Sequence, residues 1–350
     1  MKKLARRWLA FVAASAAVSG ALVGCAPASD SVKVALLLPD AKTARYEAFD
    51  RPLFENRIAE LGDFSVLYSN ADQNSAQQQS QAEAALASGA AVLVLDPVDS
   101  AAAVSIVSAA NAQGVPVIAY DRIVDGGDLS YYISFNNEEI GALQANALVD
   151  ELDARGLEGG GILMVNGSPT DGNAGQFKEG AEAVLNDSGY RVLSSFDTPE
   201  WSPENAQNWV AGQVTQFSGD IVAVYAANDG TAGGAIAALK AANVLPMPLV
   251  TGQDAELAAI QRIVSGDQYM TIYKDIRAEA VLAAEVAAKL ANGKAVIGDQ
   301  RINGIESSLL DAEIVTVDTI LTTVVADGLF TVDQICTPEY AAACAAAGIV

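Results

Sequence analysis

From Val32 onward, short apolar runs alternate with helix-length amphipathic segments, and few architectures other than a layered α/β sheet accommodate that rhythm. VKVALLLPD is followed by ARYEAFDRPLFENRIAELG, FSVLYSNAD by SAQQQSQAEAALASG, and AAVLVLDPVD by SAAAVSIVSAANAQG, after which VPVIAYD leads to SYYISFNN. Apolar runs of roughly four to eight residues, separated by helical segments that end in Gly, signal βαβ units around a parallel sheet. The second half restarts the pattern. GGILMVNG leads to NAGQFKEGAEAVLNDSG, YRVLSSFD to SPENAQNWVAGQVTQF, DIVAVYAAND to GTAGGAIAALKAANV, and PLVTGQD to AELAAIQRIVSG. YMTIYKD and the long helical stretch IRAEAVLAAEVAAKLANG follow. A chain of 350 residues suits two such doubly wound α/β domains. Only 6% of residues are aromatic while 51% are apolar, so the cores are expected to be layers of Ala, Val, Leu and Ile. Asn228, Asp229 and Ser202 stand at helix starts, Pro203 at a first helical position, and Gly89, Gly114 and Gly266 where helices stop.

The first 24 residues are a different object. MKKLARR is a basic start, WLAFVAASAAVSGALV an apolar run, and LVGC places small residues before Cys25, the pattern of an export signal with lipid attachment at that cysteine. An ordinary signal peptide with an incidental cysteine is the alternative. Residues 25–31 then form a tether, and the product is expected at the outer face of the cytoplasmic membrane, held by its lipid alone. Removing residues 1–24 takes away four basic residues and no acid, so the net charge moves from −23 to −27. Nucleic acid and anionic lipid surfaces are poor partners for such a chain. Cys336 and Cys344 remain, and export permits a disulfide between them, with two free thiols as the alternative. Neither arrangement is catalytic, because the chain has no histidine to activate a thiolate.

In open parallel sheets ligands bind beyond the carboxyl ends of strands. Those positions carry Asp40 with Arg45 and Tyr46, then Asp96, Asp121 with Arg122, Asp171 with Asn173, Trp201, Asn228 with Asp229, Asp254 and Lys274. Phosphate-cradling loops are missing: there is no GxGxxG, and GTAGGA lacks the spacing and lysine of a P-loop. Carboxylates accept, cations donate, amides do both, and aromatic rings stack on C–H faces, which together is the chemistry of a sugar site. Taken singly, Asp121 with Arg122 could be a surface ion pair, Asn228 or Asp254 a helix cap, Trp201 and Tyr46 core, and Lys274 a solvated charge. Their coincidence at equivalent strand ends of both domains favours a shared cleft.

The longer stretches AYDRIVDGGDLSYYISFNNEEIGALQA, GSPTDGNA, PEWSPENA, NDGTAGGAI, GQDAELAAI and SGDQYMTIYK closely resemble the D-xylose-binding family, sugar-binding components of ABC importers with the type I periplasmic binding protein fold. The resemblance spans nearly all of residues 31–330. It implies that Arg45, Asp121, Arg122, Asp171, Asn173, Asn228, Asp254 and Lys274 hydrogen-bond a monosaccharide, D-xylose or a related aldose, while Trp201 and Tyr46 flank its ring. It also implies a first lobe of residues 32–135 plus 275–303 and a second of 136–274 plus 304–350, joined by three hinge strands near 135–137, 274–275 and 303–307. PDAKTARY departs from the family pattern, which is richer in acids there and has Trp where Tyr46 stands. The implied protein is a monomeric receptor that closes on its sugar and delivers it to an ABC permease, with no cofactor, metal or catalysis. Presenting the sugar to a chemotaxis or signalling receptor is the nearest alternative. A glycosidase using Asp121 with Asp171 or Asp254 is the enzymatic one, and Arg45, Arg122 and Lys274 are expected to hold those acids ionised against it. A sugar-responsive repressor would need a DNA-binding segment where the export signal stands.

Overall fold

The computed structural model describes residues 31–157, 159–217 and 219–349. The export segment, Cys25 and all of the expected tether except Ser31 lie outside the described residues. The chain begins with β1 (Val32–Leu38), α1 (Arg51–Glu60), β2 (Phe64–Asn70), α2 (Ser75–Ala87), β3 (Val92–Leu95), α3 (Val104–Asn111), β4 (Val117–Tyr120) and β5 (Tyr131–Phe135). It continues through α4 (Asn137–Ala154), β6 (Gly161–Asn166), α5 (Gly172–Asp187), β7 (Arg191–Asp197), α6 (Pro203–Phe217), β8 (Ile221–Ala226), α7 (Asp229–Ala241) and β9 (Leu249–Val250). The last elements are α8 (Leu257–Ser265), β10 (Thr271–Lys274), α9 (Ile276–Ala291), β11 (Gln300–Ile302), β12 (Ile305–Leu310), β13 (Ala312–Val315), α10 (Val332–Ile335) and α11 (Ala341–Ala346).

Seven strands form one sheet in the order β11-β12-β5-β4-β3-β1-β2, parallel except for the β11–β12 hairpin at its edge. All four residues of both β3 and β4 are buried, because helices cover both faces and leave no side on which a polar residue could alternate. Residues of α1 and α9 pack on one face, and residues of α2 and α3 on the other. A second parallel sheet runs β7-β6-β8-β9, with α4 and α5 against one face and α6 and α7 against the other. Beyond β9 the backbone keeps bonding: Ile272 N–H donates to the Gly252 carbonyl at 3.1 Å and Asp254 N–H to the Ile272 carbonyl at 2.9 Å. This carries β10 and its antiparallel partner β13 onto the same sheet edge.

The chain passes from the first sheet to the second between β5 and α4, and returns between β10 and α9, which packs against α1. The third passage lies between β12 and β13, at 310–312, and not at 303–307 as the resemblance implies. Asn303 and Gly304, with φ of 53° and 85°, close a tight hairpin between β11 and β12, so the chain turns back into the first sheet before leaving it. The first lobe therefore extends through Leu310. An irregularity lies after β1, within the helix-length segment that begins ARYEAFDRPLF. Tyr46–Asp50 form a single π-helical turn ahead of α1, where Pro52 lacks the N–H that an unbroken helix would use.

Helices α4 and α5 cross closely because each contributes a glycine at the contact. A Cβ on Gly180 would lie 1.9 Å from the Glu138 carbonyl oxygen, and one on Gly141 2.0 Å from the Phe177 carbonyl oxygen. Gly175, on the same helix α5, faces open space. Gly180→Ala is expected to destabilise the protein by about 1–3 kcal/mol through overpacking, whereas Gly175→Ala is neutral or stabilises by up to about 1 kcal/mol. Urea denaturation of the pair checks this, and equal effects would contradict it.

Candidate ligand-binding site

The ends of the strands from both sheets converge on one small cavity of about 20 Å³. Arg45, Tyr46, Asp121, Arg122, Asp171, Asn173, Trp201, Asn228, Asp254 and Lys274 all line it, together with Thr43, Phe177 and Gln253. Each of the ten expected residues is no more than 5% exposed, so the two lobes meet over the cavity. A larger cleft of about 840 Å³ lies at the hinge between residues 123–138 and 302–309, but the convergent charges are not there.

Local backbone geometry aims the side chains. Asp121, Trp201 and Asp254 have φ of 56°, 52° and 94°, in the left-handed region that non-glycine residues rarely occupy. Such positions persist only where their surroundings hold them. Asp121 is held on three sides: its N–H donates to the Ile133 carbonyl at 2.9 Å, and its carbonyl accepts from Ser134 Oγ at 2.5 Å and from Asn173 Nδ2 at 2.9 Å. The last of these bonds crosses between lobes. Trp201 fits because Gly167 lacks a side chain: a Cβ there would stand 2.1 Å from the indole ring. Asp171 caps α5 through the Asn173 N–H, and Asn228 caps α7 by accepting from Thr231 N–H and Oγ1. Asn228 thus spends its oxygen on the helix and has its amide NH₂ to offer a ligand.

The charges form a connected set. Arg45 donates to both oxygens of Asp50, to Glu279 and, at 3.5 Å, to Asp121. The Tyr46 hydroxyl donates to Asp121 Oδ2 at 2.7 Å, and the tyrosine ring lies 5.4 Å from the Arg45 guanidinium and 5.7 Å from that of Arg122. The hydroxyl that tyrosine brings to this position is therefore used within the site. Arg122 Nε lies 3.0 Å from Asp171 Oδ2, which also accepts from Trp201 Nε1 at 3.0 Å. Asp40 and Asp96 stand behind Arg122 at 3.5 Å and do not line the cavity. Lys274 Nζ is 2.9 Å from Asp254 and 3.9 Å from Asp121, with the Phe135 ring 5.3 Å away.

Burial works to raise the Asp121 pKa, yet Arg45, Lys274 and Arg122 together pull it down to about 2. For Asp171 burial prevails over Arg122 and the pKa is raised, whereas for Asp121 the cations prevail. Burial alone would lower Lys274, but Asp254 and Asp121 raise it. Three cations thus face three carboxylates around the cavity. Two buried amide oxygens of residues lining it, Asn173 Oδ1 and Gln253 Oε1, have no hydrogen-bond partner among the described residues. Among the described residues no cluster of carboxylates or cysteines is arranged to hold a metal ion.

The periplasmic binding protein domain family matches residues 34–295. The D-xylose-binding periplasmic protein of Escherichia coli is 37% identical over 88% of this chain and 93% of its own length. The chain belongs to the periplasmic binding protein family. A multiple sugar-binding periplasmic receptor, ChvE, from Rhizobium radiobacter is 31% identical over 80% of the chain and 84% of its own. Among solved structures, an ABC transporter solute-binding protein from Clostridium phytofermentans with bound β-D-glucose superposes with a TM-score of 0.80, at 26% identity over 87% of this chain and 99% of that one. A carbohydrate transporter solute-binding protein from Chloroflexus aurantiacus, in complex with D-glucose, gives 0.78 at 28% identity over 87% and 98%.

Several residues of this binding protein's site escape a reading of strand ends. Asp50 and Glu279 anchor Arg45 from the π-helical turn and from α9. Glu279 is fully buried, an acid in the first turn of α9 among the buried Ile276, Ala280 and Ala283. Gln253 sits beside Asp254 in GQD, and Phe177 one helical turn after Asn173. Nothing in the sequence singles out Thr43.

Because Asp121 is depressed below the ordinary 3.8, its contribution to stability is present above that value and is lost as pH falls towards about 2. Asp121→Asn leaves Arg45 and Lys274 short of a buried counter-charge and is destabilising at neutral pH. The stability gap between wild type and this variant is expected to narrow by about 2 kcal/mol between pH 4 and pH 2. Denaturant titrations across that range measure it, and a constant gap would contradict the assigned ionisation.

Proposed function

We propose that this protein is an extracytoplasmic receptor for a monosaccharide, D-xylose or a related aldose, which it encloses between its lobes and delivers to an ABC permease. The observation that carries this reading is the cavity's wall of charges that already have partners in one another. Three cations and three carboxylates surround a space that also offers two unpartnered amide oxygens and the rings of Tyr46, Phe177 and Trp201. A charged ligand would upset that balance. A neutral polyol matches it, because each hydroxyl both donates and accepts. Enclosure of the cavity by buried residues of both lobes favours one ring over an oligosaccharide. In this reading Arg45, Asp121, Arg122, Asp171, Asn173, Asn228, Asp254 and Lys274 bond the sugar, and Tyr46 and Trp201 flank it. D-xylose comes first among sugars because the E. coli relative and one from Haemophilus influenzae, 36% identical, carry that specificity in their names.

Specificity follows from desolvation. A sugar lacking one hydroxyl would leave a buried ionised group without a partner, which costs more than an unmade neutral hydrogen bond. Closure supplies the readout, since a permease that prefers the closed shape receives loaded receptors selectively. Attachment through lipid on Cys25, within the LVGC sequence, would keep the receptor beside its permease.

A thermal-shift screen of pentoses and hexoses tests the ligand class. A bound sugar at about a hundred times its Kd adds about 2.7 kcal/mol to the stability of the folded state, so the preferred aldose stands out as a raised Tm. Absence of any shift with millimolar aldoses would overturn the sugar assignment. Arg122→Ala is expected to weaken binding by about 2–5 kcal/mol in calorimetry, as loss of one member of a buried, hydrogen-bonded charge set does. Turnover of an aryl glycoside would instead favour an enzyme.

A further inference from the structure

The ligand cavity leaves the C-terminal segment without a role. From Thr316 the chain runs through turns, α10 and α11 to Ile349, and packs Ile320, Val324, Leu329, Phe330 and Ile335 against α8 and Tyr273. The Cys336–Cys344 disulfide staples this cap. It lies against two segments that reach the cavity: Ala255, in the same cluster, follows Asp254, and Tyr273 precedes Lys274. The cap also reaches the other lobe. The Phe330 ring meets the Phe49 ring edge-on, with centroids 5.5 Å apart and planes at 69°.

Phe49 belongs to the π-helical turn Tyr46–Asp50. That turn presents Tyr46 to the cavity and Asp50 to Arg45. Two further contacts join the same stretch to the second lobe. Lys42 pairs with Glu200 at 2.6 Å, and Ala44 N–H donates to Glu256 Oε1 at 3.3 Å. The Lys42–Glu200 pair is 36% and 56% exposed at its side chains, where ion pairs contribute little. Phe330 is only 6% exposed and Phe49 half-buried, so this contact is better shielded from water than the exposed ion pair.

We propose that Phe330 is a positioning residue for sugar binding: the disulfide-stapled C-terminal cap grips the Tyr46 turn across the cleft and slows release of the ligand. This rests on the sugar-binding reading above. Phe330 does not line the cavity, so its effect passes through Phe49 and the equilibrium between closed and open lobes. Two consequences separate this from a merely structural role. Loss of the ring contact raises the dissociation rate more than it lowers the association rate, because the contact forms as the lobes close. The loss is also the same factor for every sugar bound, since the cap touches none of them.

The test is stopped-flow binding of D-xylose, and of each other aldose that binds, to the full chain as wild type, Phe330→Ala, Phe330→Tyr, Phe49→Ala and the double alanine variant. An aromatic pair of this kind corresponds to roughly a two- to tenfold change in Kd. That factor is expected in the off-rate of Phe330→Ala, with recovery in Phe330→Tyr. Phe49→Ala removes the contact from the opposite lobe, so it reports even where Phe330→Ala folds poorly, and the double variant should be no worse than either single one. An unchanged off-rate in Phe49→Ala and Phe330→Ala, or a factor that differs between sugars, overturns the proposal while leaving the receptor reading intact. If wild type binds no aldose, the receptor reading itself fails and the proposal falls with it.

Discussion

Arg122 and Asp171 come from opposite lobes and meet at 3.0 Å with side chains 3% exposed, and much of the molecule is arranged around making that tolerable. Moving a charge from water into a protein interior costs several kcal/mol, which is recovered only with good geometry and further hydrogen bonds. Arg122 has Asp40 and Asp96 behind it and the Pro97 carbonyl at 3.3 Å, while Asp171 is held by the Asn173 N–H and the Trp201 indole. Parallel sheets suit this design because their strands all end on one side, so two of them facing each other bring several polar termini to a single place. The left-handed backbone at Asp121, Trp201 and Asp254 turns those termini inward.

How much of this was legible in the sequence depended on whether its cause was local. The βα rhythm is local, and the strands and helices that it implies are present in order. The strand-end rule then finds ten cavity residues, because in such sheets chain position after a strand translates directly into location. The third passage between lobes was placed at 303–307 by resemblance alone, and although Asn303 and Gly304 are a hairpin signal, the segment 300–310 lacks the apolar run that would have marked β12 as a strand. Asp50 and Glu279 were missed for a different reason. They serve Arg45 from one turn of helix away and from α9, and no single-sequence pattern links residues 45 and 279. The direction of the Asp171 shift depends on how thoroughly closure buries it, which is a property of the two lobes together.

The same charges explain why a neutral ligand would suit a site of ions. Arginine and lysine here have carboxylate partners, so the ligand is not needed to neutralise them. What remains unmet is directional: the Asn173 and Gln253 amide oxygens need donors. A ring of hydroxyls supplies donors and acceptors at fixed angles, so recognition becomes a matter of stereochemistry more than of charge. The C-terminal cap adds a second layer, since the disulfide-stapled segment packs against Ala255 and Tyr273, the chain neighbours of Asp254 and Lys274, and also reaches the turn that carries Tyr46.

In the proposed receptor the buried charges of both lobes are brought together around a sugar. Small-angle scattering of the protein with and without D-xylose tests it most directly. Saturating sugar is expected to reduce the radius of gyration of the wild type, and Asp171→Asn, which weakens the bridge to Arg122, is expected to show a smaller reduction at equal saturation. A wild-type protein that binds the sugar with no change in radius would contradict it.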